Sequence, residues 1–537
     1  MFKKLTKIII IFVLILFFLN RTNSRDYFNQ KDKIISRIKS NSFALAADSM
    51  LGRGNGQNGL KIAENYIVAE LNKLSKDNKA VIQKAPVLEI LPKQESEFQI
   101  INRMGTKTLE LNRDYLIHSS GLMKYIPNET EVVFAGYGIF ASDIDYNDYN
   151  NLNVNGKIVL ILEGTPEILN SKKEVNKYSV LEYKQKEALS RGASALLIIP
   201  SDIKMSKGKW EYRVQSYSRP EYNLVFGNNS IPTIIVNPYL IQELFDFQLP
   251  ENNIINFLEK NNIKINTKII FKPKYKDKSF TISNILYEIK GTQSGLNDDC
   301  LIFSAHYDHL GIGKAFDEDS IYNGFQDNSL GCALLFEIAR YYTDTKPKKS
   351  VLFIWTAGEE IGLLGSMYYL NNPYYPLYKT LANINVDGVA FMDEFNSIIG
   401  LGADYSNLDA ILENVAKENS LIVEKIDDEK FDMDAFSRSD QIAFAYSGIP
   451  SILILDGMNY KNIEKQQGIE VLYDYFANFY HSPFDDAHQQ INWDAAIQHL
   501  SLILDFSNGI VNTDIIPEWY PNNRFYLQRL RTEVEKR

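Results

Sequence analysis

His306, Asp327, Glu360, Asp387 and His481 are the residues whose types and order could do chemistry in this chain. Neutral imidazoles and carboxylates are ordinary zinc ligands, and a two-ion site needs about five or six such donors with one carboxylate shared. Taken singly, each has a bland reading. An Asp after a strand caps a turn or helix, a His beside a core strand is usually hydrogen-bonded, and Glu-Glu before a helix is a dipole-favoured face. Taken together they form an ordered series, and three of them close strand-like apolar runs. Leu301-Ile302-Phe303-Ser304-Ala305 runs into His306-Tyr307-Asp308-His309. Val351-Leu352-Phe353-Ile354-Trp355-Thr356-Ala357 ends at Gly358-Glu359-Glu360, and the run 382–386 ends at Asp387-Gly388. Gln326-Asp327-Asn328-Ser329 precedes a helical pattern over 330–341, and Tyr480-His481-Ser482-Pro483 comes late. In open α/β sheets, ligands bind beyond the carboxyl ends of the strands. A His-Glu-x-x-His pattern is absent, which closes that route to a metallopeptidase.

The elements that must position these residues are legible around them. From 282 to 508 the pattern repeats strand, loop and helix, which implies α/β architecture: a mostly parallel or mixed sheet covered by helices on both faces. Ahead of it, 28–51 and 60–74 read as amphipathic helices. The glycine-rich Gly52-Arg53-Gly54-Asn55-Gly56-Gln57-Asn58-Gly59 between them contains a formal G-x-G-x-x-G, but no strand precedes it, so a flexible helix connection is the better reading. Short strands over 132–138, 157–162, 193–200 and 231–236, with one helix over 183–191, suggest a separate β-rich module. The polar, aromatic-rich stretch 206–223 reads as a surface loop. The expected organisation is 1–24 signal peptide or anchor, 25–117 first part of the catalytic domain, 118–271 insert, and 272–537 second part carrying the site.

The ordered series resembles the co-catalytic zinc exopeptidases that include bacterial leucyl-type aminopeptidases and glutamate carboxypeptidase. The resemblance rests on His306-Tyr307-Asp308, Asp327-Asn328, Gly358-Glu359-Glu360, Asn385-Val386-Asp387 and Tyr480-His481-Ser482. The insert resembles a protease-associated domain through Gly136-Tyr137-Gly138, Val154-Asn155-Gly156-Lys157-Ile158-Val159 and Gly192-Ala193-Ser194-Ala195. The resemblance implies two zinc ions bridged by Asp327, with His306 and Asp387 completing one site and Glu360 and His481 the other. It implies that Asp308 orients His306, that Glu359 is the general base, and that the substrates are peptides trimmed at the amino end. Carboxypeptidase, glutaminyl cyclase and a non-catalytic receptor-like domain are the alternatives on the same scaffold. Two departures stand out: Gln441 follows Ser439-Asp440 where a His is usual, and Leu330 stands where a small residue is usual.

Composition excludes other classes. With 57 Lys plus Arg against 67 Asp plus Glu, the net charge is -10, which offers no footprint for nucleic acid. Cys300 and Cys332 are the 2 cysteines, too few for a disulfide scaffold or thiolate zinc knuckle; they either pair or stay as buried thiols. Lys3, Lys4 and Lys7 precede an apolar run over 8–19 that spans about 18 Å as a helix, short of the roughly 30 Å hydrocarbon core. An exported protein is therefore expected, whether secreted, periplasmic or tethered by this segment, its one link to a membrane. His118, His309, His488 and His499 read as structural or exposed. The acidic residues Asp427-Asp428-Glu429 and Asp432 to Asp434 read as solvated loop, lacking the glycine and terminal Glu of an EF-hand.

Overall fold

The computed structural model describes residues 27–166, 169, 176–202, 205–225, 230–246, 248–250, 254–260, 263–296, 298–426, 435–521 and 523–534. The expected signal peptide or anchor, 1–24, and the acidic stretch 427–434 lie outside the described residues. Among those described, no helix is long and apolar enough to cross a membrane. The chain divides into two compact units, one formed by Met1–Ala85 with Thr281–Arg537, the other by Pro86–Phe280.

Seven strands lie side by side in the first unit: β1 (Tyr275–Ile289), β2 (Cys300–His306), β3 (Ser350–Thr356), β4 (Thr380–Asn385), β5 (Ser397–Leu401), β6 (Ile422–Val423) and β7 (Ser451–Asp456). Their order is β1-β3-β2-β4-β7-β5-β6. The central β3, β2, β4 and β7 run parallel, whereas β1 and β5 are antiparallel to their inner neighbours. Every residue of β2, β3 and β4 is buried, as continuous apolar runs without alternation require. Successive side chains alternate faces. Cys300, Ile302, Leu352 and Ile354 pack with Tyr369, Leu370, Ala443 and Phe444 on one side. On the other, Phe303 stacks on Phe353 at 5.3 Å and meets Tyr342 of a buried helix. The mixed sheet is thus covered on both faces, as the sequence pattern implies. Cys300 and Cys332 are buried and free.

The helices of this unit include α1 (Lys31–Leu45), α2 (Asn58–Leu74), α3 (Leu330–Thr345), α4 (Leu364–Asn371) and α5 (Trp493–Val511). The expected helix 28–51 ends at Leu45 and is followed by a tight 3-10 segment, Asp48–Arg53. Buried Glu337 of α3 holds α1 by accepting both Arg37 Nε and Nη2, at 2.7 and 2.6 Å, a paired geometry stronger than a single contact.

His499 of α5 is buried against Phe391 and Phe395, and burial with no charged partner pushes its pKa down from 6.5 to about 4. The unfolded chain takes up that proton first, so the ring's effect on stability is neutral above pH about 6.5. As pH falls from about 6.5 to about 4, native stability drops by about 3 kcal/mol on its account. Comparing denaturant unfolding of the protein and His499→Gln at pH 7.5 and 4.5 checks this: the variant should lose less on acidification.

The second unit holds an eight-stranded sheet whose middle strands, Ile126–Phe134, Ile158–Leu162, Ala195–Ile199 and Thr233–Val236, are parallel. Its edges differ from the expected 118–271. Glu97–Asn102 pairs with Lys268–Lys272, and Phe98 packs on Tyr115 and Phe271, so residues 86–117 fold with this unit. The stretch 206–223 is also not a loop: Lys207–Tyr217 is a helix capped by Ser206, and Glu221–Leu224 is a strand. Trp210, Val214 and Tyr217 give that helix an apolar stripe, and buried Trp210 donates Nε1–H to the Asn112 carbonyl at 2.8 Å.

Candidate metal centre

All five ligand candidates converge at the carboxyl ends of the parallel strands. β2 ends at His306, β3 leads through Gly358 to Glu359 and Glu360, and β4 leads to Asp387 two residues beyond its end. Asp327 sits just before α3, in a turn entered through Gly324 at φ 59°, where a Cβ would come within 2.3 Å of the Asp327 carbonyl and 2.6 Å of the His309 ring. His481 follows a short helical turn and adopts φ 56°, a left-handed conformation uncommon for a side-chain-bearing residue.

Distances define two clusters that share Asp327. His306 Nε2 lies 3.1 Å from Asp327 Oδ1 and 3.3 Å from Asp387 Oδ1. His481 Nε2 lies 3.2 Å from Asp327 Oδ2 and 3.2 Å from Glu360 Oε2. Two donors each about 2.05 Å from a tetrahedral zinc ion stand about 3.3 Å apart, so these separations match the edges that such a coordination sphere would have. His306, Asp327 and Asp387 form one group with ligand atoms mutually within 4.8 Å; His309, Asp327 and Glu360 form another.

The charge around the site also asks for cations. Asp308, Asp440 and Asp485 are buried beside the five candidates, with Glu359 close by. Among the described residues, no lysine or arginine forms an ion pair with any of these carboxylates or with Asp327, Glu360 or Asp387. Buried Arg53 acts on Asp327, Asp485 and Asp308 without an ion pair, and the carboxylates still outnumber the cationic groups; burying such a surplus is costly, and bound divalent ions would remove that cost. The donor set therefore fits zinc.

The side chains alone already push the acid–base groups apart. Burial works against a charged His306, yet Asp387 and Glu359 hold its pKa well above 6.5. His481 is likewise disfavoured by burial but raised to about 10 by its bonds to Asp327 and Glu360. Burial raises the Asp327 and Glu360 carboxyls, but histidine contacts outweigh it: Asp327 falls well below 3.8 and Glu360 to about 2. Glu359 goes the other way, pushed well above 4.5 by burial and by Glu360 and Asp387 despite the pull of His306. A carboxylate with that proton affinity, without metal-ligand geometry, suits proton transfer.

The supporting layer is richer than the sequence indicates. His306 Nδ1 faces the Asp308 carbonyl oxygen at 3.1 Å, while the Asp308 carboxylate is farther, at 3.8 Å. That carboxylate instead accepts Asn55 Nδ2–H at 2.6 Å and the backbone N–H groups of Glu359 and Glu360, each at 3.3 Å. Burial raises its pKa to about 6. Asp308 thus ties the β2 loop to the β3 loop, and its backbone carbonyl faces the ring. Asp485 accepts N–H from Gln326 at 3.0 Å and Asp327 at 3.1 Å. Asp440 accepts from Thr356 and, at 2.6 Å, from Ser366. Gln441 is buried and accepts from Asn385 at 2.7 Å, in a network with Ser439 and Ser304.

The glycine-rich connection is packed against this layer and does not behave as a free linker. Arg53 is fully buried and donates to the carbonyls of Leu45 and Tyr307, both at 2.7 Å, Gly324 at 2.9 Å, and Asn323. Gly52, at φ 63°, lies where a Cβ would come within 2.5 Å of the Gly311 and Tyr322 carbonyls. His309 is buried with Nδ1 2.6 Å from Glu360 Oε1, in the site itself. By contrast His488 is exposed and paired with Asp486, and His499 is far from solvent in the α5 core. A cavity of about 360 Å³, walled by Ala390, Met392, Val471, Leu472, Tyr475 and Phe479, also reaches Gln326 beside Asp327.

A strand-end cluster of imidazoles and carboxylates on a mixed α/β sheet is the kind of donor set that holds divalent metal ions. Residues 284–507 match the sequence profile of Peptidase family M28. A probable zinc metalloprotease of Pyricularia oryzae is 31% identical over 119 residues, covering 22% of this chain and 22% of that protein. A vacuolar membrane protease of Verticillium alfalfae is 30% identical over 125 residues, covering 20% of this chain and 11% of that one. The chain thus spans less than a quarter of the length of these curated relatives. Among solved structures, an aminopeptidase from Aneurinibacillus sp. strain AM-1 is similar at 17% identity and TM-score 0.49, over 92% of this chain and 98% of that chain.

Proposed function

We propose that this protein is a zinc-dependent aminopeptidase that holds two ions and removes N-terminal residues from peptides. The observation that carries the reading is the pair of clusters sharing Asp327, with nitrogen–oxygen separations of 3.1 to 3.3 Å. His306, Asp327 and Asp387 would hold one ion, and Asp327, Glu360 and His481 the other. When bound, the ions polarise the scissile carbonyl and bring the attacking water's pKa toward neutrality.

The chain's own residues do the rest. Glu359, poised by burial to hold a proton, accepts it from the attacking water and returns it to the departing amine. Asp308 fixes the backbone of Glu359 and Glu360 and so aims both side chains. The surplus of carboxylates and the absence of an ion-paired lysine or arginine among the described residues favour a substrate's ammonium end over its carboxylate end. The neighbouring cavity, whose walls include Met392, Val471, Leu472 and Phe479 beside the polar Asp474, Asp486 and His488, suits an aliphatic or aromatic side chain. Within the same reading, residues 1–24 export or tether the protein, and the inserted unit acts as a protease-associated domain.

Product analysis on Leu-Gly-Gly and its N-acetylated form tests this. Free leucine is expected from the unblocked peptide and no cleavage from the blocked one, with a Glu-Gly-Gly substrate turned over much more slowly. Release of C-terminal glycine from both leucyl peptides would replace the reading with a carboxypeptidase.

A further inference from the structure

The site contains one imidazole that the two-ion reading does not use. His309 is buried and its ring is backed by Gly324, so it has one place to sit. Its Nδ1 is 2.6 Å from Glu360 Oε1 and 3.9 Å from Asp327 Oδ2. The other Glu360 oxygen, Oε2, faces His481 Nε2 at 3.2 Å. The two oxygens of Glu360 are thus divided between two histidines in different ways.

The distances separate a ligand from a donor. Two ligands of one tetrahedral zinc ion stand about 3.3 Å apart, and 2.6 Å is too close for that and falls at the short end of a charge-assisted hydrogen bond. The tautomer follows from the surroundings. A bare Nδ1 lone pair facing a carboxylate oxygen at that distance would be repelled, whereas Nδ1–H is held by it. Nε2 is buried and has no hydrogen-bond partner among the described residues, so a proton placed there would be an orphaned donor. The backbone fixes the ring further, since the His309 N–H donates to the Arg53 carbonyl at 3.2 Å.

The geometry points to His309 as a positioning residue that donates Nδ1–H to Glu360 Oε1, so that Glu360 would offer only Oε2 to the second ion. One coordination position of that ion would then stay available to substrate. This rests on the two-ion reading of the site. Without the donor, Glu360 is free to swing its second oxygen toward the ion and occupy that position.

The test is metal binding by the full chain, with cobalt(II) as the only added probe. Compared are the unsubstituted protein, His309→Leu, which removes the donor, and His309→Asn, whose amide N–H occupies nearly the place of Nδ1–H. In His309→Leu the affinity for the second cobalt should fall about 10–100-fold. Its visible absorption at two equivalents should weaken, as happens when cobalt gains a ligand oxygen. His309→Asn should keep most of both. Equal second-ion affinity and spectrum in His309→Leu and the unsubstituted protein would overturn the assignment. So would a His309→Asn variant as impaired as His309→Leu, because the ring nitrogen would then be a ligand itself. An unsubstituted protein that takes up no second cobalt would instead overturn the two-ion reading. His309→Ala serves for the same comparison if leucine prevents folding.

Discussion

Glu359→Gln is expected to lower kcat about 10²–10⁴-fold while zinc content and thermal stability stay those of the unsubstituted protein. The amide keeps the shape of the side chain but cannot accept the water's proton. Two features make this separation clean. Glu359 belongs to neither group of ligand atoms, so metal should stay. Its carboxyl also lies among Glu360, Asp387 and Asp440, so neutralising it removes repulsion, while buried His306 keeps Asp327 and Asp387 as its direct partners. Metal content by plasma emission, a melting curve and kcat on a leucyl substrate together check the prediction. A large activity loss accompanied by zinc loss would assign Glu359 to the ligands; unchanged activity would remove it from the chemistry.

Asp327→Ala should have the second large effect, of a different kind. Asp327 faces both clusters, one oxygen toward His306 and the other toward His481. Removing it should therefore weaken both ions at once, and activity should fall at least about 10³-fold, at or beyond the loss in Glu359→Gln. Single-cluster changes such as Asp387→Ala should leave one ion in place. Equilibrium dialysis against zinc gives the discriminating readout: the Asp327 variant should retain less than one ion per chain, and the Asp387 variant about one. The fold should survive, since Asp327 is replaced within a site crowded with like charge.

Three of the five ligand candidates are legible in the sequence for a physical reason, whereas Asp327 and His481 enter through the ordered series and the family resemblance. Strands buried on both faces are written as continuous apolar runs, and a polar residue at the end of such a run must have a use. His306, Glu360 and Asp387 each stand at or just beyond the end of one. What is not legible depends on contacts between distant segments. Arg53 reaches Tyr307 and Gly324 across more than 250 positions, and nothing local distinguishes it from a solvated arginine in a glycine-rich linker. Asn55 and Asp485 are polar residues in turns, and only their partners Asp308 and Asp327 reveal what they do. His309 offers the best signal that sequence reasoning missed: it lies three positions after His306 and immediately follows the strand-end motif. The helix Lys207–Tyr217 reads as a loop because its apolar stripe is narrow and its remaining positions are polar, so composition outweighs periodicity. The inserted unit begins earlier than its sequence pattern suggests because the short strands after residue 86 find their partners some 170 positions later.

Anomalous diffraction from crystals grown with zinc reads out the proposed pair of ions on either side of Asp327. Two anomalous peaks about 3.5–4 Å apart are expected, one between His306 and Asp387, the other between Glu360 and His481, with the Asp327 carboxylate between them. A single peak at saturating zinc, or peaks away from Asp327, would contradict the proposed pair.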